Sequence, residues 1–148
     1  MKILILGASG MLGSAITNIL SEIQNWTILG TVRSNNSKNL FNPKIAHNLI
    51  KINDLTNTEN LIKVLYKVKP DIVINCISLE KKLLKKGNPI KMISTYSLLP
   101  HQLSKVCKET RARLIQISTD GVFSGKKGNY KEDDIKDSQD IYGASKYL

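Results

Sequence analysis

"LILGASGMLGSAI" occupies residues 4–16, and its glycines, Gly7, Gly10 and Gly13, stand three apart between an apolar run and a stretch of helical spacing. Upstream, Lys2–Leu6 is short, apolar and partly β-branched, which reads as a buried strand. Downstream, from Gly10 to about Ile23, apolar residues recur at Met11, Leu12, Ala15, Ile16, Ile19, Leu20 and Ile23, the pattern of a helix. A glycine turn that follows a strand and opens a helix is the setting a dinucleotide fingerprint needs. One glycine permits the tight turn. Another lets the backbone approach a pyrophosphate with no Cβ in the way, and the third allows helix and strand to pack closely. The N–H groups of the first helical turn and the helix dipole then attract phosphate. The spacing G-x-x-G-x-x-G is a weak signal alone, and a plain structural turn would use the same residues. The strand–turn–helix context favours the cradle.

Working outward, strands and helices alternate. Trp26–Val32 reads as a second strand, followed by a polar loop over residues 33–44 with no periodicity of its own. "NLIKI" gives a short third strand ending at Asn53-Asp54. Thr58 to about Lys67 predicts a helix with Leu61, Ile62, Leu65 and Val68 on one side, stopped by Pro70. "DIVINCI", residues 71–77, is a continuous apolar run, as in a central parallel strand covered on both faces. A lysine-rich segment leads to a long helix over about Ile90–Glu109, which Pro100 should kink or start late. "ARLIQIS", residues 112–118, is the fifth strand, and a loop separates it from a helical start at "IYGASKYL". The alternation predicts an α/β fold: a Rossmann-like, doubly wound parallel sheet of strand order 3-2-1-4-5. Residues 1–148 suit one domain.

Composition narrows the function classes. Apolar content of 41% and charged content of 23% are those of an ordinary globular protein. The apolar run in "MKILILG" is too short for a signal sequence, and no stretch approaches a membrane span, so a cytoplasmic protein is expected. A net charge of +10 points to anionic partners in general, yet aromatics are sparse and no nucleic-acid motif is present. The lysines are scattered apart from a knot at Lys81–Lys86, read as solvated surface or, alternatively, as an attractor for an anionic diphosphate. Cys76 and Cys107 lie far apart in apolar segments and read as buried thiols of a reducing compartment, not metal ligands. His47 and His101 read as packing or surface residues.

The end of the second strand bears on the cofactor. NAD binders usually place an acid about 20 residues past the glycines to hold a ribose hydroxyl. Here "GTVRSNN" offers no acid but Arg33 and Ser34, whose guanidinium and hydroxyl suit a 2′-phosphate, which favours NADP over NAD. Asp54 has two readings: acceptor for an adenine amino group, or cap of the turn before Thr56. "YGASK" places Tyr142 and Lys146 at i and i+4 on one helix face, where an ammonium beside a phenol stabilises phenolate. Such a tyrosine can pass a proton to a carbonyl oxygen as hydride reaches the carbon. Thr119 ends the fifth strand at its carboxyl end, where open α/β sheets bind ligands, and its hydroxyl can orient the same carbonyl. Ser118 is expected to face elsewhere, and Asp120 to hold the loop through backbone hydrogen bonds.

With these residues in view, the chain resembles the extended short-chain dehydrogenase/reductase superfamily, and within it the dTDP-4-dehydrorhamnose reductase family. The stretches that carry the resemblance are "ILGASGMLG", "DIVINCI", "SLLPHQLSKVC", "LIQISTDGVFSGKKGNYKEDD" and "DIYGASKYL". The resemblance implies that Gly7, Gly10 and Gly13 with Met11 and Leu12 line a pyrophosphate, that Arg33 and Ser34 meet the adenosine phosphate, and that Asp54 and Leu55 edge the adenine. It places Cys76 and Ile77 under the nicotinamide-side ribose. Thr119, Tyr142 and Lys146 become the catalytic set, with Lys146 also holding ribose hydroxyls. It implies NADPH-dependent reduction of a 4-keto-6-deoxy nucleotide sugar in deoxysugar and surface-polysaccharide synthesis. A nucleotide-sugar epimerase or dehydratase with bound NAD, and a non-catalytic NADP-binding regulatory protein, are the alternatives. The expected partner is a nucleotide-sugar substrate, with a homodimer left open and neither nucleic acid nor membrane involved.

Two departures stand out. Where such proteins commonly carry an Asn in the helix before "LLPH", this chain has Thr95-Tyr96-Ser97, and the exit of the fourth strand reads "NCISLEKK" in place of small residues. Family members also continue for roughly as many residues again, with a small domain that binds the sugar nucleotide. Residues 1–148 are therefore expected to be an incomplete NAD(P)-binding domain, cut just after the Tyr-x-x-x-Lys helix begins. Such a piece should bind dinucleotide better than it catalyses. A terminal helix of one or two turns is marginal in water, and the sequence names nothing that would hold Tyr142 and Lys146. The fifth strand is expected to leave an unpaired edge.

Overall fold

The computed structural model describes residues 1–79 and 88–148, and the lysine knot at residues 81–86 lies outside the described residues. The chain forms two compact units, Met1–Ser78 with His101–Ile117, and Leu79–Pro100 with Ser118–Leu148.

The first unit is built on five parallel strands, β1 (Lys2–Leu6), β2 (Thr27–Val32), β3 (Leu49–Lys51), β4 (Ile72–Asn75) and β5 (Arg113–Gln116). Their order is β3-β2-β1-β4-β5, as the alternation of strand and helix patterns predicts. β1 lies at the centre, with Leu4 paired to Leu29 on one side and Val73 on the other. A parallel strand covered on both faces has no polar side, and Ile3, Leu4, Ile5 and Leu6 are all buried. β5 forms one end of the sheet, and its Ile115 is exposed.

Helix α1 (Met11–Ser21) follows β1 and buries a narrower face than its apolar spacing suggests. Gly13 and Thr17 are buried, and Ile16 and Leu20 pack on a core of Ile3, Ile5, Ile28, Val32, Leu49 and Ile74. Met11 and Ile19 face solvent. The hydroxyl of Thr17 donates to the Gly13 carbonyl at 2.7 Å, which satisfies it inside the helix.

Residues 33–44, read from the sequence as a plain loop, contain a 3-10 turn over Asn35–Leu40 and the first part of a short helix, α2 (Pro43–Ala46). The local signals were present without any periodicity: Pro43 at the first helical position, and Asn42 accepting the Lys44 N–H at 3.0 Å.

Helix α3 (Thr58–Val68) buries Leu61, Val64, Leu65 and Val68, so Val64 takes the place given to Ile62, which is exposed. It ends at Lys69 in the left-handed region, φ 48°, immediately before Pro70. Its first turn is capped by Asn57, whose side-chain oxygen accepts from the N–H groups of Glu59 and Asn60 at 2.9 and 3.3 Å. Asn57→Ala is expected to lower stability by about 1 kcal/mol. Urea unfolding should show this as a lower midpoint at unchanged slope.

The predicted long helix around Pro100 is three pieces: α4 (Pro89–Met92), a π-helical stretch (Ile93–Leu98) and α5 (Leu99–Thr110). Proline has no N–H to donate and its ring collides with the carbonyl four residues back. The wider turn accommodates this. The Leu99 N–H donates to the Ser94 carbonyl, five residues back, and Pro100 falls in the first turn of α5.

The second unit contains α4, the π-helical stretch, a 3-10 turn at Asp120–Val122 and the last helix, α6 (Ile141–Tyr147). Among the described residues no helix is long and apolar enough to cross a membrane.

Candidate functional site

In the first unit the glycine turn occupies the carboxyl end of β1, and its three glycines have three different reasons. Gly7 has φ +76°, a conformation that side chains rarely adopt. A Cβ there would also stand 3.1 Å from the Cys76 carbonyl oxygen and 3.2 Å from Ile77 Cα. Gly13 is demanded by packing, since a Cβ would lie 2.2 Å from the Gly7 oxygen and 3.0 Å from Ala8 Cα. Gly10 has neither constraint. Its backbone is extended, φ −73° and ψ 166°, and a Cβ would meet only the Gly7 oxygen, at 3.4 Å.

Gly10 is also the N-cap of α1 and supplies no side-chain cap, and no acidic residue stands in the first turn. The first-turn N–H groups therefore have no acceptor from a capping side chain. Met11 and Leu12 lie there, Met11 93% exposed. Thr31, unremarked in the sequence, pins the turn. Its hydroxyl accepts the Gly7 N–H at 3.0 Å and its carbonyl accepts the Ala8 N–H at 2.9 Å.

Cys76 and Ile77 come to this turn through the close approach at Gly7. Their backbone is set by Asn75, which is buried; its side chain accepts the Ile77 N–H at 3.2 Å and donates to Gln116 at 2.8 Å. Burial pushes the Cys76 thiol up from its ordinary value, so it is held as a neutral packing group. Arg33 and Ser34 follow β2 and are exposed, with the Ser34 hydroxyl 3.4 Å from that of Ser37. Asp54 is exposed and holds a turn. One of its side-chain oxygens accepts from the Thr56 N–H at 2.9 Å and from the Thr56 hydroxyl at 2.6 Å. Leu55 is half-buried. A shallow cleft of about 540 Å³ lies at the far end of α1, lined by residues such as Ser21, Trp26, Asn42 and Lys44, and no residue of the glycine turn borders it.

The second unit gathers the other set. Asp140 caps α6, its side chain accepting the Gly143 N–H at 2.7 Å. Gly143 is buried against the 3-10 turn, where a Cβ would lie 2.0 Å from the Gly121 oxygen and 2.1 Å from Ser138 Oγ. The Ser97 hydroxyl donates to the Ser145 carbonyl at 2.7 Å. Three ties thus hold a seven-residue helix that its length alone would leave marginal, so the expectation that nothing holds Tyr142 and Lys146 is overturned. Tyr142 packs at right angles to Tyr96, ring centroids 5.2 Å apart and planes at 86°. Lys146 Nζ stands 5.2 Å from the centroid of the same Tyr96 ring. Burial lowers the Lys146 pKa from its ordinary 10.5.

Thr119 is the residue that shapes the neighbouring turn. Its hydroxyl accepts the Gly121 N–H at 3.1 Å and lies 3.3 Å from an Asp120 carboxylate oxygen, while the Asp120 carbonyl accepts the Phe123 N–H at 2.9 Å, so the Thr119 side chain and the Asp120 backbone hold the turn together. A Cβ on Gly121 would be 3.4 Å from Thr119 Oγ1 and 3.7 Å from Tyr142 Cε1, which brings Thr119 and Tyr142 to one glycine. Tyr96, Ser97, Gly121 and Gly143 are the supporting residues that sequence reasoning missed; only the Thr95-Tyr96-Ser97 departure marked their place. His47 and His101 are both exposed.

The family model described as RmlD substrate binding domain matches residues 1–148. The probable low-salt glycan biosynthesis reductase Agl14 of Haloferax volcanii is 31% identical over 141 residues, covering 95% of this chain and 44% of that protein. A hypothetical dTDP-4-dehydrorhamnose reductase from Sulfolobus tokodaii superposes with a TM-score of 0.80 at 31% identity, over 100% of this chain and 50% of that one. A dTDP-4-dehydrorhamnose reductase of Bacillus anthracis, solved in complex with NADP, gives 0.75 at 25% identity, over 99% of this chain and 46% of that one. The chain thus spans about half the length of the proteins it matches.

Proposed function

Because this chain belongs to the RmlD substrate binding domain family, we propose that it is the dinucleotide-binding part of an NADPH-dependent reductase acting on a 4-keto-6-deoxy nucleotide sugar. The observation that carries the reading is Gly10. Backbone conformation explains Gly7 and packing explains Gly13, but the missing side chain at Gly10 leaves open the mouth of a helix whose first-turn N–H groups have no capping side chain. A diphosphate at that point explains it.

NADPH bound at the turn would supply the hydride. The Gly7–Gly13 backbone and the first turn of α1 hold the diphosphate, with Met11 and Leu12 beside it. Arg33 and Ser34 take the 2′-phosphate, Asp54 and Leu55 edge the adenine, and Cys76 and Ile77 floor the ribose next to the nicotinamide. Tyr142 gives its hydroxyl proton to the carbonyl oxygen being reduced. Lys146 keeps a positive charge near that oxygen and holds the ribose hydroxyls. Thr119 donates a second hydrogen bond to the same carbonyl. Two thiols buried in their reduced form, Cys76 and Cys107, suit a cytoplasmic location.

Calorimetric titration of the chain tests the first half of this reading. NADPH is expected to bind more tightly than NADH. Arg33→Ala should weaken NADPH about tenfold or more while leaving NADH unchanged, because only the phosphate loses its guanidinium partner. Equal affinities for the two cofactors, or no binding of either, would overturn the assignment.

A further inference from the structure

We propose that Tyr96 is a positioning residue whose ring seats both Tyr142 and Lys146. The inference rests on the reading of that pair as the reacting groups, and it concerns how this chain holds them. Tyr96 is 4% exposed and lies on the π-helical stretch Ile93–Leu98. Its hydroxyl accepts the Leu79 N–H at 2.9 Å, which anchors the far end of the ring to the segment that follows β4. The ring itself is left to meet α6. It stands perpendicular to Tyr142 at 5.2 Å and lies under Lys146 Nζ at 5.2 Å. The next residue, Ser97, binds the α6 backbone at the Ser145 carbonyl. One stretch of chain therefore fixes the backbone of the reactive helix and both of its reacting side chains.

An aromatic ring suits this task better than a carboxylate would. Lys146 is half-buried, and burial works against its charge. A carboxylate would restore the charge but capture the ammonium in a directional pair. The negative face of a ring supports the charge weakly and without fixing a hydrogen bond of its own. The perpendicular contact with Tyr142 fixes the plane of the phenol without engaging its hydroxyl. Among the described residues, the other titratable groups on the elements packed against α6 are Lys91 on α4 and Asp120 on the 3-10 turn, with Asp140, Tyr142 and Tyr147 at or on α6 itself.

The test uses this chain with ¹³Cε-labelled lysine, the Lys146 resonance being identified by its loss in Lys146→Arg. Tyr96→Phe keeps the ring face but gives up the Leu79 hydrogen bond, and its Lys146 titration is the reference for the next variant, which lacks the hydroxyl as well. Replacement of Tyr96 by 3,4,5-trifluorophenylalanine keeps nearly the same shape but drains charge from the ring face. It is expected to lower the Lys146 titration by about half a pH unit or more. A merely structural Tyr96 predicts the same titration for both, and that result would overturn the proposal. Thermal unfolding of each variant confirms that both are folded. Turnover is read separately, in a protein carrying this chain together with a second half like that of its relatives, so a shifted Lys146 beside no reduction of a 4-keto sugar there would refute the proposed reaction and leave the seating role standing.

Discussion

Gly13→Ala is expected to cost about 3 kcal/mol of stability and to abolish dinucleotide binding, whereas Gly10→Ala is expected to abolish binding alone. The two glycines are three residues apart in one turn, yet their surroundings differ. A Cβ at Gly13 would sit 2.2 Å from the Gly7 oxygen and 2.9 Å from the Gly7 carbonyl carbon. Both atoms are backbone, so no rotamer change relieves the collision and α1 must move away from β1. That is overpacking at the severe end of its usual range. The displaced helix would carry its N–H groups away from the diphosphate. At Gly10 a Cβ meets one atom at an ordinary 3.4 Å, and the extended backbone suits alanine. Folding should therefore be unharmed or slightly helped, because alanine restricts the unfolded chain. The added methyl instead occupies the space a pyrophosphate would need. Urea midpoints and NADPH calorimetry on the two variants separate the effects. Undiminished NADPH binding by a folded Gly10→Ala protein would end the cradle reading.

What could be read from the sequence follows the range of the signals. β1 is found at Lys2–Leu6 as expected, because a short apolar run before a glycine turn has few other solutions. Strand order followed from the alternation of strand and helix patterns, which needs no knowledge of contacts. Ranges shifted where local strength was low: the fifth strand, expected at residues 112–118, is confined to Arg113–Gln116 at the sheet's end. Tyr142 and Lys146 were visible because helical spacing brings them together by itself. Their support was not visible. Ser97 meets Ser145 across 48 residues, and Gly143 fits only because Gly121 and Ser138 leave no room for a side chain. No periodicity encodes such pairs. The Pro100 signal was legible as a disturbance, but not as the π-helical turn that presents Tyr96 and Ser97 to α6.

Tyr142→Phe is expected to reduce turnover of a 4-keto nucleotide sugar about 10²- to 10⁴-fold in a protein carrying this chain together with a second half like that of its relatives. The ring contact with Tyr96 does not use the hydroxyl, so the variant should fold and bind NADPH as the parent does. Lys146 adds a pH dependence with two opposed consequences. Its folded-state pKa is lowered from 10.5 by burial. Below that lowered value the ammonium is charged in folded and unfolded chains alike, and the folded state bears the desolvation penalty. Between the lowered value and 10.5 the folded chain has released its proton while the unfolded chain still holds one. Stability therefore rises with pH through that window. The proposed reaction uses the charged ammonium of Lys146, so on that reading turnover falls through the same window. Lys146→Met should remove both slopes. Its stability should exceed the parent's at neutral pH, and the difference should shrink as the parent's lysine discharges. Parallel stability–pH curves for parent and Lys146→Met would show that the half-buried ammonium imposes no penalty. In that case the Tyr96 ring would have no burial cost to offset, and the chain would carry its reactive charge at no expense to the fold.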